Sequence, residues 1–275
     1  MDDHQRQALS FGGAAEAYDR GRPSYSRDAA AWLTAAEPLT VLELGAGTGK
    51  LTEQLVALGH DVHATDPDPA MLEILKERLP GVRAAEAVAE EIPGPDSAYD
   101  VVVGAQCFHW FDADKALPEI ARVLKPGGSL ALTWNERDER IPWVRRLGAI
   151  IGTQEQDTDP SEVLTASLQF LYVETETFKQ WQVVDRDSIQ DLVRSRSNFA
   201  VLDDDARAAK MEELLAFYDD FGRGMDGMQL PYLTRCFRAR VIKSRSEDTQ
   251  PMAMSESPAE PPTDDDSGTL LIDFR

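Results

Sequence analysis

Cysteine, histidine and positive charge are all scarce in this 275-residue chain. The two cysteines, Cys107 and Cys236, lie far apart and form no C-x-x-C pair, and there are only four histidines. That argues against a disulfide framework or a structural zinc site, and both thiols read as small buried apolar side chains. Lys and Arg number 28 against 49 Asp and Glu, giving a formal net charge of −21 and a pI near 4.5. Such a surface repels phosphate backbones and anionic bilayers, so neither nucleic acid nor a membrane is an expected partner. No apolar run reaches transmembrane length. Met1-Asp2-Asp3-His4 lacks the basic and apolar regions of a signal peptide. The expectation is a cytoplasmic protein whose oligomeric state is not legible.

Apolar residues make up 42% of the chain, enough for a proper core. From about residue 26 to 150, apolar runs alternate with helical periodicity. Strands are expected at Leu39–Leu44, Asp61–Thr65, Val82–Ala87, Tyr99–Gly104 and Ser129–Trp134. Helices are expected at Ser26–Ala36 and at Asp114–Leu124, the second stopped by Lys125-Pro126-Gly127-Gly128. This alternation predicts an open α/β sheet with helices on both faces. Residues 136–205 are less regular, with helices expected at Pro142–Ile151 and Asp187–Arg196 and a strand at Phe178–Val184. Asp204–Phe221 places Met211, Leu214, Leu215, Tyr218 and Phe221 at amphipathic spacing, and Leu230–Val241 alternates as a half-buried strand does. Residues 246–268 are rich in Ser, Pro, Asp and Glu and hold no basic residue, a composition expected to stay disordered. The expected organisation is therefore 1–36 as an N-terminal lid and first helix, 37–242 as the main domain and 243–275 as an acidic tail.

The most informative stretch is Val41-Leu42-Glu43-Leu44-Gly45-Ala46-Gly47-Thr48-Gly49-Lys50. It reads as a strand, an acidic residue, a glycine-rich turn and a helix start, the entry of a nucleotide-type cofactor site. A P-loop needs a glycine five residues before its Gly-Lys pair and Ser or Thr after the Lys; here those positions are Leu44 and Leu51. The dinucleotide fingerprint needs a third glycine where Lys50 stands. Glu43 would repel a pyrophosphate, whereas the sulfonium and ammonium groups of S-adenosylmethionine (SAM) would attract it. A second acid, Asp66, ends the next strand, about twenty residues beyond the glycines, where a carboxylate can hold ribose hydroxyls. Asp68 and Pro69 then read as the N-cap and first residue of another helix. A glycine turn without a ligand, and a plain helix-entry aspartate, are the competing readings.

With these positions in place, the chain resembles class I SAM-dependent methyltransferases, and within them the type 11 group that includes relatives of trans-aconitate methyltransferase. The resemblance spans about residues 9–241. It rests on Phe11–Tyr18 and Arg20–Tyr25 (a lid), Val41–Thr52, Ala64–Pro67, Ala89–Pro93, Gln106–Phe111, Glu119–Gly128, Trp134–Asp138 and Ser195–Ser197. It implies a Rossmann-like seven-stranded sheet of order 3-2-1-4-5-7-6 with the last strand, Leu230–Val241, antiparallel. It also implies that Gly45, Ala46 and Gly47 line the methionine part of SAM near Glu43, that Asp66 takes the ribose, and that Pro67, Ala89 and Glu90 meet the adenine. Gln106 would lie beside the cofactor, facing the acceptor.

Methyl transfer from a sulfonium is an in-line displacement that needs alignment and exclusion of water more than activation. Phe11, Tyr18 and Tyr25 are candidates to close over the site, or else they simply pack the N-terminal helix. Arg20, Arg22, Arg137 and Arg196 are candidates to grip an anionic acceptor, or else they are surface ion pairs. His109 is a candidate base or orienting group, which a carboxylate acceptor would not need. Trp110, with Trp134 and Trp143, would form an apolar wall. The expected function is thus methyl transfer to a small-molecule acceptor, at a carboxylate or hydroxyl oxygen. An NAD-type oxidoreductase and a non-catalytic SAM-binding or partner-binding protein are the alternatives. Nucleic-acid methylation is disfavoured by charge and by the lack of an Asn/Asp-Pro-Pro-aromatic motif. Deleting residues 246–275 is expected to leave SAM affinity unchanged by calorimetric titration, and a loss of folding would show that the tail docks.

Overall fold

The computed structural model describes residues 15–35, 37–152, 159–196, 199, 202–221 and 227–243. The chain divides into two units, Met1–Ser244 and Arg245–Arg275, and every described residue belongs to the first. The expected acidic tail and Phe11 lie outside the described residues.

Seven strands run in chain order as β1 (Thr40–Leu44), β2 (Asp61–Asp66), β3 (Arg83–Glu86), β4 (Tyr99–Ala105), β5 (Leu124–Arg137), β6 (Phe170–Val184) and β7 (Met228–Val241). They form one sheet in the order β3-β2-β1-β4-β5-β7-β6. Strands β1 to β5 pair in parallel, and β7 runs antiparallel to both β5 and β6. This is the expected Rossmann-like order.

Helices α1 (Ala15–Gly21), α2 (Arg27–Thr34), α3 (Lys50–Ala57), α4 (Pro69–Arg78) and α5 (Ala113–Val123) belong to the first half. Helices α6 (Pro142–Ile151), α7 (Ser161–Ala166), α8 (Ser188–Arg194) and α9 (Asp204–Phe221) follow. Alternate residues of each strand face opposite sides of a sheet, and the core divides accordingly. Val41, Val101, Val103 and Ala131 pack with α2 and α3 through Ala29, Ala30, Leu33, Leu51 and Leu55. Leu42, Val102, Leu130 and Leu132 pack on the other face with Leu117, Ile120 and Val123 of α5. A separate cluster joins α6, α8 and α9 to Val184, Met228, Leu230 and Tyr232 at one end of the antiparallel β6–β7 pair. That cluster is a cap, built from the connections on either side of β6.

Three expectations need correcting. The Lys125-Pro126-Gly127-Gly128 turn does not precede β5 but is absorbed into it. Tyr99 pairs with Leu124 and Val101 with Ser129, so the extra residues form an irregularity within a continuous strand. Strand β6 is about twice the expected length, because its first half is a polar sheet edge. Glu174 and Glu176 there keep the edge charged, as unpaired edges commonly are, and hide the apolar alternation. On α9 the side chains fully buried are Leu214 and Phe217, while Phe221 is left exposed. Other features hold: Asp68 caps α4 by accepting from the Ala70 N–H at 2.9 Å, with Pro69 as its first residue.

Helix α1 is pressed against α8. A Cβ added at Gly21 would stand 2.4 Å from the backbone carbon of Asp191, so only glycine fits. Gly21→Ala is expected to lower stability by roughly 1–3 kcal/mol, the usual range for overpacking. Thermal or urea denaturation reads this, and an unchanged midpoint would mean that α1 is not docked on α8.

Candidate active site

Strand order reverses on either side of β1: the chain passes from β1 to β2 and β3 on one side, then returns to β4 on the other. In open α/β sheets the crevice at such a switch point, beyond the carboxyl ends of the strands, is where ligands bind. A cleft opens there, bounded by Glu43, Gly45 and Ala46 after β1, Ala105 and Gln106 after β4, and Asn135 on β5. The N-terminal segment closes it with Tyr18, Arg22, Pro23 and Tyr25, and the cap adds Leu192, Arg196 and Tyr232. The space amounts to about 550 Å³, solvent at its mouth included.

The glycine turn is shaped for close approach. Gly45 and Gly47 have φ of +65° and +55°, a region that side chains rarely tolerate. A Cβ at Gly45 would also lie 2.7 Å from the Cβ of Cys107. Glu43 is 1% exposed, and its Oε2 accepts from Thr52 Oγ1 at 2.7 Å. Burial pushes its carboxyl up to about 8; the Thr52 hydrogen bond opposes the shift and Asp66 adds to it. Asp66 anchors the turn: Oδ2 accepts from Gly47 N at 2.8 Å and Oδ1 from Asp68 N at 2.9 Å. Burial raises its carboxyl to about 6 against those two bonds. Two buried carboxyl groups beside open space are short of positive charge, the fit that a sulfonium and an ammonium group would supply.

Gln106 is held at φ +57°, an uncommon conformation for a side-chain-bearing residue and one concentrated at functional sites. Its Nε2 donates to the Asn135 carbonyl at 3.0 Å. The segment over the cleft is tied down through both its backbone and its side chains. Gln182 Nε2 donates to the Gly21 carbonyl at 2.9 Å, and Gln180 Nε2 and Asn135 Nδ2 donate to the Ser24 carbonyl at 2.9 and 3.0 Å. Asp19 ties α1 to the cofactor side by accepting from Arg78 Nη2 at 2.5 Å. Arg22 Nε donates to Ser195 Oγ at 3.0 Å and ties it to the cap.

Of the residues singled out in the sequence, Glu43, Gly45, Ala46, Gln106, Tyr18, Arg22, Tyr25 and Arg196 line the cleft. Gly47 and Asp66 adjoin it through their mutual hydrogen bond. Pro67, Ala89 and Glu90 lie beyond that lining, Glu90 accepting from Asp112 N at 2.7 Å. Arg20 turns away to pair with Asp191 at 2.8 Å. Arg137 is buried behind the cleft and donates to Glu139 at 3.1 Å and to the Gly152 carbonyl at 2.9 Å. The His109 and Trp110 rings meet at a tilt, 4.7 Å between centroids, and do not line it. Burial lowers His109 to about 4, so its ring is neutral near pH 7. Trp134 is in the sheet core against Phe237, and Trp143 packs in the cap. Asn135, Leu192 and Tyr232 were missed. Asn135 was within reach, lying in a run already singled out, but only the strand pairing places Tyr232 opposite Arg137.

Residues 42–132 match the family model described as a methyltransferase domain. An uncharacterised methyltransferase of Mycobacterium tuberculosis is 45% identical over 238 residues, covering 85% of this chain and 96% of the relative. The chain belongs to the class I SAM-dependent methyltransferases. Its cofactor is SAM, which sets aside the NAD reading. A more distant similarity reaches a malonyl-[acyl-carrier protein] O-methyltransferase of Methylococcus capsulatus, 35% identical over 137 residues, 46% of this chain and 50% of that protein. A solved structure of phosphoethanolamine N-methyltransferase 2 from Haemonchus contortus, bound to phosphomonomethylethanolamine and S-adenosylhomocysteine, shares the fold. It aligns with a TM-score of 0.52 at 17% identity, over 88% of this methyltransferase and 60% of that chain. Among the described residues, no helix is long and apolar enough to cross a membrane and no cluster suits a metal ion.

Glu43 gives the methyltransferase a pH signature. A carboxyl raised from 4.5 to about 8 on folding holds a proton that the unfolded chain releases. Its stabilising effect is complete below pH 4.5 and is lost as pH rises through 8. Without SAM, Glu43→Gln is therefore expected to gain stability relative to the parent between pH 6 and 9, read by urea denaturation. A difference that does not change with pH would show Glu43 ionised throughout.

Proposed function

We propose that this methyltransferase transfers the methyl group of SAM to an oxygen of a small-molecule acceptor, a carboxylate or a hydroxyl. The observation that carries the reading is one cleft with a buried carboxyl group and a glycine turn at the β1 end, guanidinium and amide groups across from them, and no histidine among the described residues that line it. SAM supplies a methyl group already activated for displacement on a sulfonium. The chain's task is then to align two partners and keep water out.

In this reading Glu43, Gly45, Ala46 and Gly47 hold the methionine portion, Asp66 the ribose, and Pro67, Ala89 and Glu90 the adenine. Asp66 can do so without releasing the turn, because each carboxylate oxygen accepts more than one hydrogen bond. Gln106 and Asn135 orient the acceptor, and Tyr18 and Tyr25 exclude solvent. Residues 37–242 act as the catalytic domain and 1–36 as its lid. Of the two oxygens, the carboxylate is favoured. A hydroxyl must lose a proton, and His109, the nearest histidine in sequence, stands outside the cleft, whereas a carboxylate attacks as it is. The O-methyltransferase relative is consistent with this choice, since a malonyl group ends in a carboxylate.

Asp66→Ala is expected to weaken SAM binding by about 10- to 100-fold, from the roughly 1.5–3 kcal/mol of a hydrogen bond to a charged group. Calorimetric titration measures it, with circular dichroism as the check that the turn still folds. An unchanged dissociation constant would place the ribose elsewhere.

A further inference from the structure

Among the described residues, the cleft guanidinium of Arg196 has no counter-ion. Arg196 follows α8, is 9% exposed and lines the cleft. Its Nε is buried and makes no hydrogen bond. Burial, then the like charges of Arg137 and Arg22, disfavour its charged form, and Tyr232 and Glu139 offset this only weakly. A guanidinium does not deprotonate in proteins, so the charge stays and is left uncompensated. Other arginines in the fold are matched: Arg20 with Asp191, Arg122 with Glu119, Arg238 with Glu174. Glu139, the acid nearest in effect, is already bonded to Arg137. In a chain with 49 acidic side chains, a buried guanidinium without one points to a charge that arrives from outside.

The surroundings suit an oxyanion. Arg22 faces the same cleft with Nε and Nη2 committed to Ser195. Tyr232, Gln106 and Asn135 add polar groups to the lining, and among the described residues its one carboxyl group is Glu43, on β1. On the Glu43 side the cleft-lining cation Lys50 is matched by Asp19 at 3.7 Å, whereas across from it Arg22 and Arg196 bring two guanidinium groups together. A planar guanidinium fork matches a carboxylate or phosphate through two parallel hydrogen bonds. We infer that Arg196, flanked by Arg22 and Tyr232, is a seat for an anionic group of the methyl acceptor. This rests on the methyltransferase reading of the cleft. Arg196 is a positioning residue for the acceptor and takes no part in holding SAM.

The test uses the full chain saturated with S-adenosylhomocysteine, whose binding is first measured alone. Citrate, succinate and inorganic phosphate are then added at matched ionic strength with chloride as control, and melting temperature is followed. At least one anion is expected to raise it saturably by about 2 °C or more, as linkage requires of a ligand that binds only the folded state. A response to citrate or succinate identifies a carboxylate seat, and one to phosphate a phosphate seat. Arg196→Met should abolish the response and keep the S-adenosylhomocysteine affinity within about twofold of the parent. It should also raise the anion-free melting temperature, because a buried unpaired charge has been replaced by an apolar chain of similar length. Arg196→Lys, which keeps a charge but loses the fork, should retain a weaker response. The inference is overturned if no anion shifts the parent, if the shift survives in Arg196→Met, or if Arg196→Met is less stable than the parent without anion. Failure to bind S-adenosylhomocysteine would instead overturn the donor-site reading.

Discussion

A carboxyl group sealed at the carboxyl end of β1 is the constraint around which the cleft is arranged. Glu43 is buried with one hydroxyl donor, and Asp66 stands close enough to raise it further. Buried carboxyl groups in that state are poorly compensated. The fold places them at a gap in the sheet where α1 and the cap leave a cleft. The glycine turn follows from the same demand: only residues free to take positive φ let the chain double back beside the acid and leave room for a ligand. Asp66 then locks that turn from the neighbouring strand through the Gly47 N–H. This side of the cleft is thus built from two strand ends and one turn, all within the parallel part of the sheet.

The opposite side of the cleft follows different rules. Arg22 comes from the N-terminal segment, Arg196 and Leu192 from the end of α8, and Tyr232 from an antiparallel strand. No short stretch of chain contains two of these elements. They meet because the cap is inserted beside the antiparallel β6–β7 pair, and because the N-terminal segment is fastened to both cap and sheet.

That division explains what could be read from the sequence. The β1 side of the cleft was legible because Glu43, the glycines and Asp66 lie within two βα units, where spacing along the chain maps directly onto spacing in space. The strand order followed from resemblance, and helices such as Pro142–Ile151 and Asp204–Phe221 showed in their periodicity. Strand β6 was only half visible, because a charged edge suppresses the alternation that marks a strand. Among the arginines the sequence could not separate Arg196 from Arg20. The two differ only in what folds beside them, Asp191 at one and like charge at the other. Tyr232 carried no local signal, since its place is set by register with Arg137.

The fastening of the N-terminal segment has a consequence for how such an enzyme can change. Gln180, Gln182 and Asn135 grip main-chain oxygens of Gly21 and Ser24. A carbonyl is present whatever side chain stands there, so the clasp at Ser24 is indifferent to substitution. Residue 21 is constrained by packing alone. Arg22 is itself one of the ties, through Ser195, but Pro23 faces the cleft outside the clasp and is free to drift while the segment keeps its seat. Fastening by main-chain oxygens thus lets a position in the cover vary without unfastening it.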